Sequence, residues 1–224
     1  MTGRIASREE WLKARVALLS AEKEFTRQRD ALTARRQAMP WVKVEKDYVF
    51  DAPTGPVSLA DLFAARSQLL VYHFMFAPES EWGCKSCWFW ADQLDGAIPH
   101  LNARDTSLVA ISRAPVEKLQ RQARRLGWKF PWVSSGRTTF NYDFAVSFEP
   151  DARGEAIYNY ERQVVPFKDL QGFSAFVKGD AGSIYHAYST YGRGQDITNG
   201  VYNMLDMTPK GRDEDSLPFT MQWV

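Results

Sequence analysis

The chain has 224 residues, which is enough for one full-sized domain with an extension. Its 45% hydrophobic and 25% charged residues are typical of a globular protein and exclude a disordered chain. The formal net charge of +1 argues against a dedicated nucleic-acid binder, and no run approaches the ~20 apolar residues of a membrane span. The N-terminus is charged from Arg4 onward and lacks the apolar core of a secretory signal, so we expect a cytoplasmic protein with no membrane partner.

The first predicted element is a long helix. Ser7 and Glu10 have the spacing of a capping box, and Pro40 ends the helical pattern. We therefore divide the chain into an N-terminal helical extension, residues 1–40, and a main domain, residues 41–224. Large apolar residues recur every seven positions along the helix: Trp11, Leu18, Phe25 and Leu32. This narrow stripe favours a helix docked on its own domain, and the alternative is a helix that pairs across a homodimer.

The middle of the chain alternates between strand and helix patterns. Residues 68–76 form a continuous apolar run that predicts a buried strand, and residues 84–101 predict a helix that carries both cysteines. A second strand at 105–112 and a helix at 115–128 follow. This order predicts an α/β fold with parallel strands, and a later hairpin, with strands at 172–177 and 183–190, would complete a mixed sheet flanked by helices.

The cysteines of the chain, Cys84 and Cys87, both lie at the predicted strand-to-helix junction. At the start of a helix, free backbone N–H groups and the helix dipole stabilise a thiolate on Cys84. Lys85 adds a nearby positive charge, whereas Glu79 and Glu81 oppose it. One helical turn brings Cys87 onto nearly the same face, within reach of a disulfide. The favoured interpretation is a dithiol in which Cys84 attacks and Cys87 resolves.

Two alternatives remain open for the cysteine pair. A tetrahedral metal site needs two more ligands, and the histidines are His73, His100 and His186. His100 lies ~20 Å from Cys87 along a continuous helix, so it cannot complete the site. The other alternative is two packed thiols without chemistry. We predict no metal and no cofactor.

Several segments resemble known families. The order SQLLVYHFMFAPES, WGCKSC, SLVAISRAPVEKLQRQARRLGWKFPWVSS resembles the first half of the thioredoxin and peroxiredoxin group, and GFSAFVKGDAGSIYHAY resembles its closing hairpin. Over nearly the whole chain the sequence is more similar to a bacterial thioredoxin-like family catalogued as domain of unknown function 899. The matching segments include SREEWLKAR, FWADQLDGAIPHLNARD, FNYDFAVSF and NMLDMTPKGRDEDSLPFTMQWV.

The resemblance implies a thioredoxin-like domain with Cys84 as the nucleophile and Cys87 as the resolving cysteine. Trp82 and Gly83 match the approach to the thioredoxin motif, whose proline is replaced here by Lys85-Ser86. At the position of the thioredoxin cis-proline the chain has Gln171-Gly172, and the threonine spacing of peroxiredoxins is absent. The residues expected to line a substrate cleft are Trp82, Gly83, Lys85, Ser86, Gly172 and Phe173.

The predicted function is a thiol-disulfide oxidoreductase that acts on protein or small-molecule substrates. Its partners would be an oxidised substrate and an external thiol reductant. The alternative is a non-catalytic thioredoxin-like module for binding or assembly, and the third reading is a metal-binding protein.

Overall fold

The computed structural model describes residues 3–221, which form one main sheet, a separate hairpin and surrounding helices. The ten strands are β1 (Val42–Lys43), β2 (Val49–Ala52), β3 (Gly55–Ser58), β4 (Gln68–His73), β5 (Thr106–Ser112), β6 (Trp132–Ser134), β7 (Glu155–Tyr158), β8 (Glu161–Val164), β9 (Gly172–Lys178) and β10 (Ile184–Tyr191). The six α-helices are α1 (Arg8–Gln37), α2 (Lys85–Ala91), α3 (Leu94–Asn102), α4 (Val116–Leu126), α5 (Phe140–Asp143) and α6 (Gly200–Leu205).

The main sheet has the order β1-β10-β9-β4-β5-β6-β2-β3. The pairs β4–β5 and β5–β6 are parallel, and the remaining neighbours are antiparallel. The sheet therefore combines a parallel centre with the closing hairpin β9–β10, which confirms the predicted mixed sheet flanked by helices. In this topology α2 follows central strand β4, so the cysteines lie at the carboxyl end of the parallel strands, where open α/β sheets bind ligands.

The centre of strand β4, residues 69–72, is apolar because both faces of the sheet are covered. Leu69 and Val71 pack into one buried cluster, and Tyr72 packs into the other cluster, which also contains Cys87. Of these two clusters, the one on the Tyr72 side is rich in tryptophan and phenylalanine. The cysteines consequently lie above an aromatic core.

The predicted helix at residues 84–101 is interrupted, which corrects the sequence interpretation. Helix α2 ends at Ala91 and α3 begins at Leu94, with a turn at Asp92 and Gln93 between them. The Asp92 carboxylate accepts a hydrogen bond from the Trp128 indole at 2.7 Å, and the Gln93 side-chain oxygen accepts one from the Gly200 amide at 2.6 Å. Long-range hydrogen bonds fix both turn residues, and such contacts leave no signal in helical spacing.

Helix α1 has the capping box predicted from the sequence: Ser7 and Glu10 each accept a hydrogen bond from the backbone N–H of the other. However, no residue of α1 is buried. Its contact with the domain includes Arg36, whose guanidinium lies 5.8 Å from the Tyr188 ring centre. The interpretation favoured above, a stripe docked on its own domain, is therefore wrong: the apolar residues of α1 face outward.

Hairpin β7–β8 was not anticipated from the sequence. Its turn residues Asn159 and Tyr160 both have positive φ, 52° and 67°. A two-residue hairpin turn of this kind favours Asn or Gly, and a tyrosine in the second position is unusual. Only Asn159 is a typical residue for such a turn, so the sequence carries only half of the usual turn signal.

Among residues 3–221, no helix is both long and apolar enough to cross a lipid bilayer.

Candidate redox site

The segment after β4 places Cys84 at the N-cap of α2. The Cys84 amide donates to the Met75 carbonyl at 2.9 Å, and the Gly83 amide donates to the Gln122 side chain at 2.7 Å. A Cβ atom at position 83 would lie 2.5 Å from Phe74, so only glycine fits this close approach. The Trp82-Gly83 pair thus brings the chain tightly over the core before the helix begins.

The surroundings of Cys84 favour its thiolate. The pKa of Cys84 is lowered to about 6, chiefly because Cys87 donates a side-chain hydrogen bond to its sulfur. Partial burial acts in the opposite direction, and the backbone amides of Cys87 and Ser86 assist the lowering. These amides belong to the first turn of α2, whose N–H groups have no partner within the helix. The expected helix-terminus effect is present, with the second cysteine as the larger cause.

Cys87 has the opposite environment. Its side chain is fully buried, and burial is the main reason that its pKa lies well above the ordinary thiol value, with the hydrogen bond to Cys84 as the second reason. The Gln171 side-chain oxygen lies 3.5 Å from the Cys87 sulfur and 3.4 Å from the Tyr72 hydroxyl. Cys87 is therefore a protonated thiol that lies beneath Cys84.

The acidic residues before the motif have basic partners. Glu81 pairs with Arg121 at 2.7 Å, and Glu79 lies 3.9 Å from Lys168. Such exposed pairs contribute little to stability, but each places a positive charge beside a carboxylate that was expected to oppose the thiolate.

A groove of about 920 Å³ opens in front of Cys84. We call it the Cys84 groove. Its apolar walls come from four places in the chain: the segment after β4, the segment between β8 and β9, strand β8 and the C-terminal segment 219–221. The large apolar residues of these segments that line the groove are Met75, Trp82, Val164, Phe167, Leu170, Phe219 and Met221.

The structure places the predicted site residues in three locations: in the groove lining, beneath the groove, and in the core away from the groove. Trp82, Lys85 and Ser86 line the Cys84 groove together with Cys84. Gly83 and Cys87 are buried beneath it.

Gly172 and Phe173 lie in the core, outside the groove lining. Phe173 stacks on Tyr72 with ring centres 4.7 Å apart, and a Cβ at Gly172 would lie 2.6 Å from Tyr191. Gln171, one residue earlier, is the residue at this strand end that reaches the groove.

Two hydrogen-bonding residues are among the groove residues that sequence reasoning missed, Gln171 and Tyr158. The Tyr158 hydroxyl donates to the Gln171 carbonyl at 2.8 Å and accepts from the Gly192 amide at 2.8 Å. Burial raises the pKa of Tyr158 to about 12. Gln171 could have been found from its position before the strand that faces the dithiol, whereas Tyr158 depends on the unrecognised hairpin.

Two of the histidines considered as metal ligands have other partners. His73 and His186 belong to one polar network in which His73 contacts Ser174, Ser174 contacts Ser189, and Ser189 contacts His186, each at 2.7 Å. Burial lowers the pKa of His73 to about 3, so it is neutral. Within the described part of the chain, no three His, Cys, Asp or Glu side chains converge in a way that could hold a metal ion.

A family model described as bacterial protein of unknown function (DUF899) matches residues 1–224. The chain belongs to this family. None of the curated proteins matches the sequence. Among solved structures, the chain is similar to peroxidoxin BcpB from Mycobacterium tuberculosis, with 15% identity and a TM-score of 0.47 over 71% of this chain and 93% of that one. It is also similar to the bacterioferritin comigratory protein of Xanthomonas campestris, with 13% identity and a TM-score of 0.48 over 68% of this chain and 86% of that one.

Proposed function

We propose that this thioredoxin-like DUF899 protein is a thiol-disulfide oxidoreductase that uses Cys84 and Cys87 as its dithiol. The observation that carries the proposal is the asymmetry of the pair. The pKa of half-buried Cys84 is lowered to about 6, while fully buried Cys87 stays protonated directly beneath it. A nucleophilic cysteine needs thiolate character and access, whereas a resolving cysteine needs neither until its partner has reacted.

In the first step the Cys84 thiolate attacks one sulfur of a substrate disulfide. A mixed disulfide forms between Cys84 and the substrate, and the other substrate sulfur leaves as a thiolate. This step removes the negative charge from Cys84. Because that charge and its hydrogen bond help to raise the pKa of Cys87, the pKa of Cys87 falls once Cys84 is bonded.

In the second step Cys87 loses its proton and attacks the Cys84 sulfur. The Cys84–Cys87 disulfide forms, and the substrate leaves with two electrons and, after protonation, two protons more than it had. The Tyr72 side chain and the Met75 backbone both favour the Cys87 thiolate. An external thiol reductant then restores the dithiol, which suits a reducing cytoplasm.

Single cysteine variants test this proposal with oxidised glutathione and a disulfide-containing peptide as substrates. We expect Cys84→Ser to abolish turnover and Cys87→Ser to accumulate a mixed disulfide, seen as the added substrate mass on the intact protein. Met207→Ser, at a methionine that is 81% exposed, is the control and should retain full activity. Natural turnover by Cys84→Ser, or a Cys87→Ser protein that gains no substrate mass, would contradict the proposal.

A second candidate function, assembly through α1, is favoured by the exposure of its apolar stripe. Trp11, Leu18, Phe25 and Leu32 are all between 43% and 65% exposed. A helix whose apolar residues find no cover in its own chain suits pairing with another copy. We propose that α1 pairs two copies in a homodimer.

Light scattering at several protein concentrations tests the homodimer. We expect a dimer for the natural chain and a monomer for Leu18→Ser/Phe25→Ser. Val16→Ser is the matched control, because Val16 is 58% exposed but points away from the stripe at 100° per residue. A natural chain that is monomeric at all concentrations would refute the homodimer.

A further inference from the structure

One wall of the Cys84 groove is itself a piece of polypeptide, the C-terminal segment Phe219–Met221. The Ser86 hydroxyl, in the first turn of α2, donates a hydrogen bond to the Thr220 carbonyl at 2.8 Å. Met221 packs against the same aromatic cluster as Cys84, and Phe219 lines the groove. The surface beside Cys84 thus already binds a main-chain carbonyl and an apolar side chain of this segment.

The segment is also held by hydrogen bonds to residues outside the groove lining. The Met221 amide donates to the Glu214 carboxylate at 2.6 Å, and the same carboxylate accepts from the Tyr202 hydroxyl at 2.7 and 2.9 Å. Tyr202 in turn packs against Phe89 and Trp90 of α2. By contrast, Phe219 remains 45% exposed within the groove.

The opposite wall offers further binding groups for an extended chain. Strand β8 lines the groove through Gln163 and Val164, and all four of its residues are exposed. In the described residues β8 pairs only with β7, so its other edge keeps unpaired backbone N–H and C=O groups. Such an edge is a template for an added strand, and main-chain pairing with pockets for alternate side chains is a common mode of peptide recognition.

We propose that the Cys84 groove binds an extended polypeptide with apolar side chains, and that Phe219–Met221 is an internal competitor for this site. If the bound polypeptide is the substrate, it would carry its disulfide beside apolar residues, and this part of the inference rests on the proposed function. The binding of a polypeptide in the groove does not depend on that function. The groove volume of about 920 Å³ lies near the upper end of the ~300–1,000 Å³ of small-ligand pockets, which suits a peptide of a few residues.

The binding test uses the acetylated, fluorescein-labelled peptide SLPFTM, which has the sequence of residues 216–221. Fluorescence anisotropy compares its affinity for the full-length natural chain and for full-length Phe219→Ser/Met221→Ser. We expect at least tenfold tighter binding to the variant, because its own segment no longer competes. The control peptide SLPSTS should bind neither protein. Equal affinity for both proteins, or no binding to the variant, would overturn the inference.

Access to Cys84 gives a second readout that requires no turnover. At pH 8, where a thiol with a pKa of about 6 is already ionised, a bulky maleimide should label Cys84 severalfold faster in Phe219→Ser/Met221→Ser. Phe219→Ser alone should give part of this gain, and Met207→Ser should give none. Unchanged labelling in the double variant would show that the segment does not cover the site.

The two hypotheses fail in different ways. If Cys84 and Cys87 are not catalytic, the peptide still binds but no disulfide is turned over. If the groove takes small molecules instead, oxidised glutathione is turned over at the same rate by the natural chain and the double variant, and the peptide does not bind.

Discussion

Helices α1 and α2 both begin where the sequence indicates, yet their surroundings are opposite. The thirty residues of α1 include none that is buried, while the seven residues of α2 include four. Helix α1 forms from local signals, namely its capping box and its spacing, and contributes a surface. Helix α2 is short and poor in such signals, and the chemistry proposed for Cys84 depends on the residues packed around this helix. The residues that make a segment helical are therefore not the residues that determine what the helix can do.

Unfolding in urea tests this difference with one aromatic substitution in each helix. Trp90 of α2 is 2% exposed and donates a hydrogen bond to Thr198 at 2.8 Å. We expect Trp90→Ala to lower the free energy of unfolding by about 3–5 kcal/mol, the usual cost of removing a large buried side chain. Phe25 of α1 is 65% exposed, and Phe25→Ala should change stability by no more than about 0.5 kcal/mol in dilute protein.

Equal losses of unfolding free energy for Trp90→Ala and Phe25→Ala would contradict the difference between α1 and α2. A large loss for Phe25→Ala that grows with protein concentration would mean that a second copy covers α1 in solution, in agreement with the proposed homodimer. A large loss that is independent of concentration would mean that α1 packs on its own domain after all.

Much of the fold was readable from the sequence because its signals are local. The apolar run at residues 68–76 and the capping box at Ser7 both depend on neighbouring residues. The break after Ala91 was not readable, because the turn residues there bond to Trp128 and Gly200, which are distant in sequence. Sequence spacing carries no information on such distant partners.

The candidate site also has one part that was predicted from the sequence and one part that was not. The position of Cys84 at a helix start followed from the sequence, whereas the groove was not predicted. Its walls include Gln171, the hairpin residue Tyr158 and the C-terminal segment, which come together only in the folded chain. The outward orientation of α1 was also missed, since a narrow apolar stripe fits docking and pairing equally well.

The pH dependence of Cys84 alkylation tests whether α2 owes its chemistry to its surroundings or to its N-terminus alone. A lowered pKa means that the reactive thiolate is present above about pH 6 and disappears below it, so iodoacetamide should react with a midpoint near pH 6. The largest cause of the lowering is the hydrogen bond from Cys87, which Cys87→Ala removes. A rise of about two units toward the ordinary value would reduce the thiolate fraction at pH 7 on the order of tenfold.

The matched variant for this measurement is Cys87→Ser, which keeps a hydroxyl donor in place of the thiol. We expect its midpoint to lie between those of the natural chain and Cys87→Ala, because only the alanine leaves the Cys84 sulfur without this donor. If the alanine variant kept a midpoint near pH 6, the backbone N–H groups of the first turn would be sufficient. Any exposed helix start could then activate a cysteine as well as α2 does, and the burial of Cys87 would have no role in the reactivity of Cys84.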